Sequence, residues 1–310
     1  MGMLEQITTV ATQVVILFVL IFVGFLCGKT RLFNDEVIAG LTSFTLYVVT
    51  PAAIVDSFCR EFRPELLTDL LIILGAALFS HIAGIVLSSL IIRDKDIKRQ
   101  RVLRIGAVFS NCGYMGLPLL GAVLGSIGIF YGAAYVIIFT LMSWTYGLAA
   151  VSGDRREISL KKLAVNPGII GSAIGLIIFL FSVKLPDILY MPVHYLGALN
   201  TPVPMMIVGY QLSKLDLSGM WKKASYYVAS FVRLILIPFV TFAVLYLLGM
   251  RGDLLVSCIL SASMPSAALT TMFAVRYKQD TEAASSIVAM TTLLSLITLP
   301  LIIGLVRYVS

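Results

Sequence analysis

The chain alternates long apolar stretches with short polar ones. Ten apolar stretches can be marked: 7–28, 37–55, 65–92, 102–125, 128–150, 168–184, 194–213, 224–248, 253–275 and 282–306. A helix needs about 20 apolar residues to cross a hydrocarbon core about 30 Å thick, so each stretch predicts a membrane-spanning helix. The longest polar intervals, Arg93–Arg104 and Ser152–Pro167, are too short for a soluble domain. The first stretch, Ile7–Gly28, lacks a basic leading region and is long enough to span, so it reads as a retained helix rather than a cleaved signal.

Composition agrees with the pattern. Of 310 residues, 59% are hydrophobic and 13% charged, against about 25% charged in soluble domains. The net charge of +7 does not point to nucleic acid, because the basic residues sit in short loops between apolar spans. Those loops are asymmetric. Alternate loops, beginning after span 1, carry 17 Lys and Arg; the opposite side carries 5, and Arg233 lies within span 8. The basic side faces the cytoplasm, which places both termini outside a cell (inner) membrane. Cys27, Cys59, Cys112 and Cys258 form no paired or metal-ligand pattern, so neither a metal nor a cofactor is expected.

Prolines divide the chain into halves. Span 2 carries Thr50-Pro51 and span 7 Thr201-Pro202; span 4 carries Pro118 and span 9 Pro265. The intervals from Pro51 to Pro118 and from Pro202 to Pro265 are similar. This predicts two five-helix repeats, 1–151 and 168–310, joined by a cytoplasmic linker at 152–167. An odd number of helices per repeat inverts one copy relative to the other, as in many secondary transporters. The expected fold is therefore an all-α integral membrane protein of ten helices, with helices 4 and 9 broken and crossing at mid-membrane.

Spans 4 and 9 hold the candidate chemistry. Proline lacks an N–H and clashes with the preceding turn, so the helix is expected to break before Pro118, loosened by Gly113 and Gly116. Pro265 lies among Ser261, Ser263 and Ser266. Each proline would open a second half-helix whose free N–H groups and positive dipole end suit an anion. The candidate substrate residues are Asn111, Gly113, Tyr114, Gly116, Pro118, Ser263, Pro265 and Ser266. Two plain structural kinks repaired by serine and water are the other reading of the same prolines. Arg233, about mid-depth in span 8, is a candidate charge, or a snorkelling or structural cation. His81, deep in span 3, is a candidate proton carrier or a packing residue.

The run SNCGYMGLPLL (110–120) resembles the fourth helix of the auxin efflux carrier family, which includes plant auxin exporters and bacterial carriers of malonate- or malate-like acids. SMPSAALTTMFAVRYKQD (263–280), TTLLSLITLP (291–300), Asn166-Pro167, and Arg233 with Pro238 resemble the same family. The resemblance implies a scaffold of spans 1, 2, 6 and 7 and a moving core of spans 3–5 and 8–10. It also implies a homodimer through the scaffold and carboxylate recognition near Asn111. Plant members carry an Asp and a Lys four residues apart in the third helix. The matching stretch here, Ala77–His81, lacks the Asp, so coupling does not carry over. The long central loop of the plant members is also missing.

The expected function is secondary active transport of small organic anions, mono- or dicarboxylates, by alternating access. The alternatives are a sodium- or proton-coupled symporter of the bile-acid type and a transporter-derived sensor. No span holds a central Asp or Glu, which weighs against the first. An enzyme is not expected: H-E-x-x-H, G-x-S-x-G and Cys/His clusters are missing. A channel would need a polar ring along a continuous pore. The expected partners are a small carboxylate, membrane lipid and a second copy of the chain.

Overall fold

The computed structural model describes residues 3–154, 156, 158, 165–214 and 223–309. Its helices are α1 (Met3–Lys29), α2 (Asp35–Phe58), α3 (Pro64–Ile91), α4a (Ile97–Val108), α4b (Cys112–Leu124), α5 (Ser126–Ser152), α6 (Pro167–Leu180), α7a (Asp187–Ala198), α7b (Pro202–Lys214), α8 (Ala224–Leu247), α9a (Gly252–Ser263), α9b (Leu269–Arg276) and α10 (Thr281–Val309). Most of the linker 152–167, with Arg155, Lys161 and Lys162, lies outside the described residues, as does Lys222. Among the described residues six helices, within α1, α2, α3, α5, α8 and α10, are long and apolar enough to cross a membrane. Their outer faces carry large apolar side chains, such as Phe22, Leu71, Leu247 and Leu301. In water that surface would be costly; against lipid it is the favourable one.

Local chemistry sets the helix starts. The side chains of Asn34, Asp96 and Asn166 accept hydrogen bonds from the first N–H groups of α2, α4a and α6, and Pro167 takes the first position of α6. Prolines inside helices leave a different signature. Thr45–Val49, Cys112–Gly116 and Val232–Leu236 are π-helical turns, and each ends two residues before Pro51, Pro118 or Pro238. Proline supplies no N–H and crowds the carbonyl four residues back; a wider turn relieves both. A fourth π turn, Ser143–Gly147, has no proline behind it.

Close backbone crossings gather α1, α2, α6 and α7. Gly24 of α1 and Gly209 of α7b lie where a Cβ would overlap the partner's backbone. Gly171 and Gly175 of α6 meet Pro51 and Phe58, and Gly197 meets Ala53. Gly121 and Gly125 do not form such a pair: Gly125, at φ +68°, turns the chain from α4b into α5. The remaining helices pack around α9a, which touches α3, α5, α8 and α10. On the side of the basic loops, Arg99 joins Asp94 at 3.3 Å and Asp280 at 3.1 Å, and Lys223 meets Glu282 at 3.4 Å.

Candidate functional site

Helices α4 and α9 are each interrupted, and these two interruptions meet. Between α4a and α4b the chain is non-helical at Phe109, Ser110 and Asn111; between α9a and α9b it is non-helical from Met264. The Asn111 N–H donates to the Pro265 carbonyl at 2.7 Å, and the Ala267 N–H to the Phe109 carbonyl at 2.9 Å, bridging Ser110 to Ser266 in antiparallel fashion. Backbone groups that a break would orphan thus satisfy one another.

The break is not where the proline pattern placed it. Gly113–Leu117 was expected to unwind ahead of Pro118, yet those residues form the π turn and the start of the following α segment. Pro118 ends the π turn; the interruption lies seven residues earlier. Pro265 likewise stands within the extended segment and does not open α9b.

Arg233 holds the crossing from one side. It is 1% exposed, and its Nη1 donates to the carbonyls of Ala107 at 2.8 Å and Val108 at 2.7 Å, while Nη2 donates to Ala262. Those carbonyls belong to the C-terminal turns of α4a and α9a, where helix carbonyls lack partners and the dipole is negative. One guanidinium therefore fastens both first half-helices and neutralises both ends. These contacts are those expected of a structural cation. The N-terminal ends of α4b and α9b keep their positive partial charge.

Ser263 and Ser266 are 0% exposed, and their hydroxyls donate to the carbonyls of Ile259 and Gly106 at 2.6 and 2.7 Å. The Ser266 N–H also donates to Thr291 Oγ1 at 3.0 Å. Together with the buried Pro265, they brace the break and offer no free group to a ligand in this conformation. Gly116 lies against Met264, where it admits the facing segment.

Asn111 differs. It is 6% exposed, and among the described residues its side-chain amide makes no hydrogen bond. The N–H groups of Cys112, Gly113 and Tyr114, at the start of α4b, have no backbone acceptor. Space lies beside them, since a Cβ on Gly113 would meet nothing within 4 Å; Tyr114 is half-buried next to it. His81 is 1% exposed, with Nδ1 2.7 Å from the Ala77 carbonyl. Its ring packs among Phe109, Tyr135 and Phe139, with centroids 5.5 to 6.3 Å away, as a packing residue does.

A cleft of about 870 Å³ reaches Pro118 from the side of the 59–63 loop. Asp56, Arg60, Arg63, His194 and Thr201 line it. Thr201 belongs to a third interruption, between α7a and α7b, which the single predicted span 194–213 did not resolve. There Asn200 is 4% exposed, and Thr50 donates to its amide oxygen at 3.0 Å. Asn200 is a further candidate, not among the residues named from the sequence. Its signal was Asn200-Thr201-Pro202, a polar run before a proline, like Ser110-Asn111 in span 4.

The apolar exterior, the paired interruptions and the cleft define a multi-pass membrane transport protein. The family model described as "Membrane transport protein" matches residues 9–158 and 154–303. The chain belongs to that family, the auxin efflux carrier family that its motifs resemble. It is 26% identical over 291 residues to an uncharacterized transporter of Methanothermobacter thermautotrophicus, covering 91% of this chain and 94% of that protein. It is 25% identical over 301 residues to an uncharacterized transporter of Methanocaldococcus jannaschii, covering 93% and 96%. A third relative, named "Putative malonate transporter", from Rhizobium meliloti, is 24% identical over 306 residues, covering 94% and 93%.

Proposed function

We propose that the chain is a secondary active carrier of small organic anions, bound by their carboxylate at the crossing of α4 and α9. The observation that carries this reading is the unpartnered amide of Asn111, beside N–H groups of Cys112, Gly113 and Tyr114 that have no backbone acceptor. Arg233 cancels the negative ends of both first half-helices, so the positive ends of the second halves are left to an anion. At the interruption of α7, Thr50 holds the oxygen of Asn200 and leaves its NH2 group to donate. Ser263, Pro265 and Ser266 form the frame behind this site.

In the same proposal the ten predicted spans are two inverted five-helix repeats, 1–151 and 168–310, crossing at mid-membrane. The two family matches, which part near residues 154–158, support that division. The glycine-lined packing of α1, α2, α6 and α7 supports a scaffold against which α3–α5 and α8–α10 move. Irregular backbone at membrane depth persists only where protein or a wet cavity covers it, and here the two interrupted segments are buried and pair with each other. Both termini lie outside the inner membrane, and two copies pair through the scaffold.

The name of the Rhizobium relative makes malonate the first acid to test. Purified protein in proteoliposomes loaded with unlabelled malonate should take up labelled malonate in a saturable counterflow. Succinate, malate and monocarboxylates follow as competitors. Flux that never saturates, or no flux and no competition with any acid of the panel, would remove the carrier reading.

A further inference from the structure

We infer that Arg60 forms an outer docking station for carboxylates, in the cleft that reaches α4b at Pro118. The inference rests on the carrier reading above and adds a site to it. Arg60 follows the end of α2 and is held from three directions. Its Nε donates to the Ser57 carbonyl at 2.8 Å, its Nη2 donates to the Ser126 carbonyl at 2.7 Å, and its guanidinium lies 4.6 Å from the Phe130 ring centroid. All three partners are uncharged. Among the described residues no carboxylate lies within ion-pair distance of Arg60 or of the neighbouring Arg63, and both line the cleft.

The two carboxylates on the same wall are already engaged. Asp56 lies 3.2 Å from His194 Nδ1. Glu61 lies 3.6 Å from Lys184 and is 81% exposed. Each carboxylate of the wall thus has a partner, whereas Arg60 and Arg63 have no anionic one. With Lys184 of the adjoining wall, the cations outnumber Asp56 and Glu61 by one even with His194 neutral, so an anion entering here meets a positive field that the low-dielectric walls concentrate. Arg60 has N–H groups in excess of its two carbonyl bonds, in the planar fork that matches a carboxylate. Burial pulls its guanidinium below the ordinary range, with Arg63 adding to this and Tyr131 and Asp56 opposing, but arginine stays charged at neutral pH.

The neighbouring Cys59 makes the field measurable. It lines the same cleft, whereas Cys112 and Cys258 are buried. Cys27 is replaced by serine, and the protein is reacted with two thiol reagents of equal size, anionic sulfonatoethyl and cationic trimethylammonioethyl methanethiosulfonate. Rates are normalised to those with a free thiol. Burial and Asp56 push the Cys59 thiol up, but this scales both rates alike and cancels in their ratio.

The anionic reagent should be favoured by about tenfold, the effect of one poorly screened charge several ångströms away. The preference should collapse in 0.5 M salt, fall at least about threefold in Arg60→Gln and survive in Arg60→Lys. Added malonate should slow the anionic reagent in the wild type and not in Arg60→Gln. A preference for the cationic reagent, or a ratio unchanged by Arg60→Gln, overturns the inference. The salt series on the unmutated residue keeps the test available if Arg60→Gln misfolds: a salt-independent ratio also overturns it. A lost ratio with intact malonate counterflow would sink the docking station alone. A preserved ratio without counterflow would sink the carrier reading alone.

Discussion

Arg233 is the residue whose chemistry is most fully determined by its surroundings. Three carbonyls from two separate half-helices converge on one guanidinium. A charged hydrogen bond contributes about 1.5–3 kcal/mol, so Arg233→Ala should lower stability by about 3 kcal/mol or more. Lysine can reach one helix end but cannot fork across two, so Arg233→Lys should fall between. The thermal midpoint in detergent measures this; equal midpoints for all three proteins would refute the clamp. Outside the membrane, Asp94 offers a pH test. Burial raises its pKa, but the Asp96 N–H, the Ser225 hydroxyl and Arg99 outweigh burial and hold the carboxyl below its ordinary value. A depressed folded-state pKa stabilises above the unfolded value of about 3.9, and the contribution is lost as pH falls through the folded value. The thermal midpoint should drop more steeply below pH 4 in the wild type than in Asp94→Asn; parallel curves would remove Asp94 from the linkage.

At the scale of elements, prolines were legible as signals but not in their meaning. Pro51, Pro118 and Pro238 mark the ends of π turns, which keep the helix running. The break in helix 4 lies at Phe109–Asn111, and no local propensity announces it. It exists because Pro265 and Ala267 supply backbone partners from the other half of the chain and Arg233 covers the exposed carbonyls. Pairing between segments 150 residues apart cannot be read from a window of ten. The apolar spans, by contrast, follow from side-chain transfer alone, and their limits fall close to the helix ends. Span 7 is the exception, where the polar run at Asn200 splits the helix. This reassignment changes the expected effect of mutation. Pro118→Ala should leave the break intact and change substrate affinity by less than about threefold, under 1 kcal/mol. A tenfold loss with an unchanged thermal midpoint would return the break to the proline.

For the whole molecule, the asymmetry of basic loops was legible because it reflects insertion rather than packing. Orientation can be checked at two exposed positions. In a background without other reactive thiols, Glu61→Cys should react with an impermeant reagent added outside intact cells, and Lys95→Cys should not; the reverse pattern would invert the topology. Of the candidate site, Asn111 and its following glycine were legible from polar and small residues at membrane depth. Asn200 was marked only by the polar run before Pro202; the Thr50 hydrogen bond that orients its amide exists only in the folded chain. Arg60 was counted in the sequence only as one of five basic residues on the less basic side. The central claim is that a carboxylate sits at the unpartnered amide of Asn111. It is tested most directly by titrating the acid that gives counterflow into purified wild-type protein and Asn111→Ala. Loss of a hydrogen bond to a charged group, about 1.5–3 kcal/mol, should weaken binding roughly 10- to 150-fold while the thermal midpoint of the free protein stays the same. Unchanged affinity in a folded Asn111→Ala protein would contradict the account.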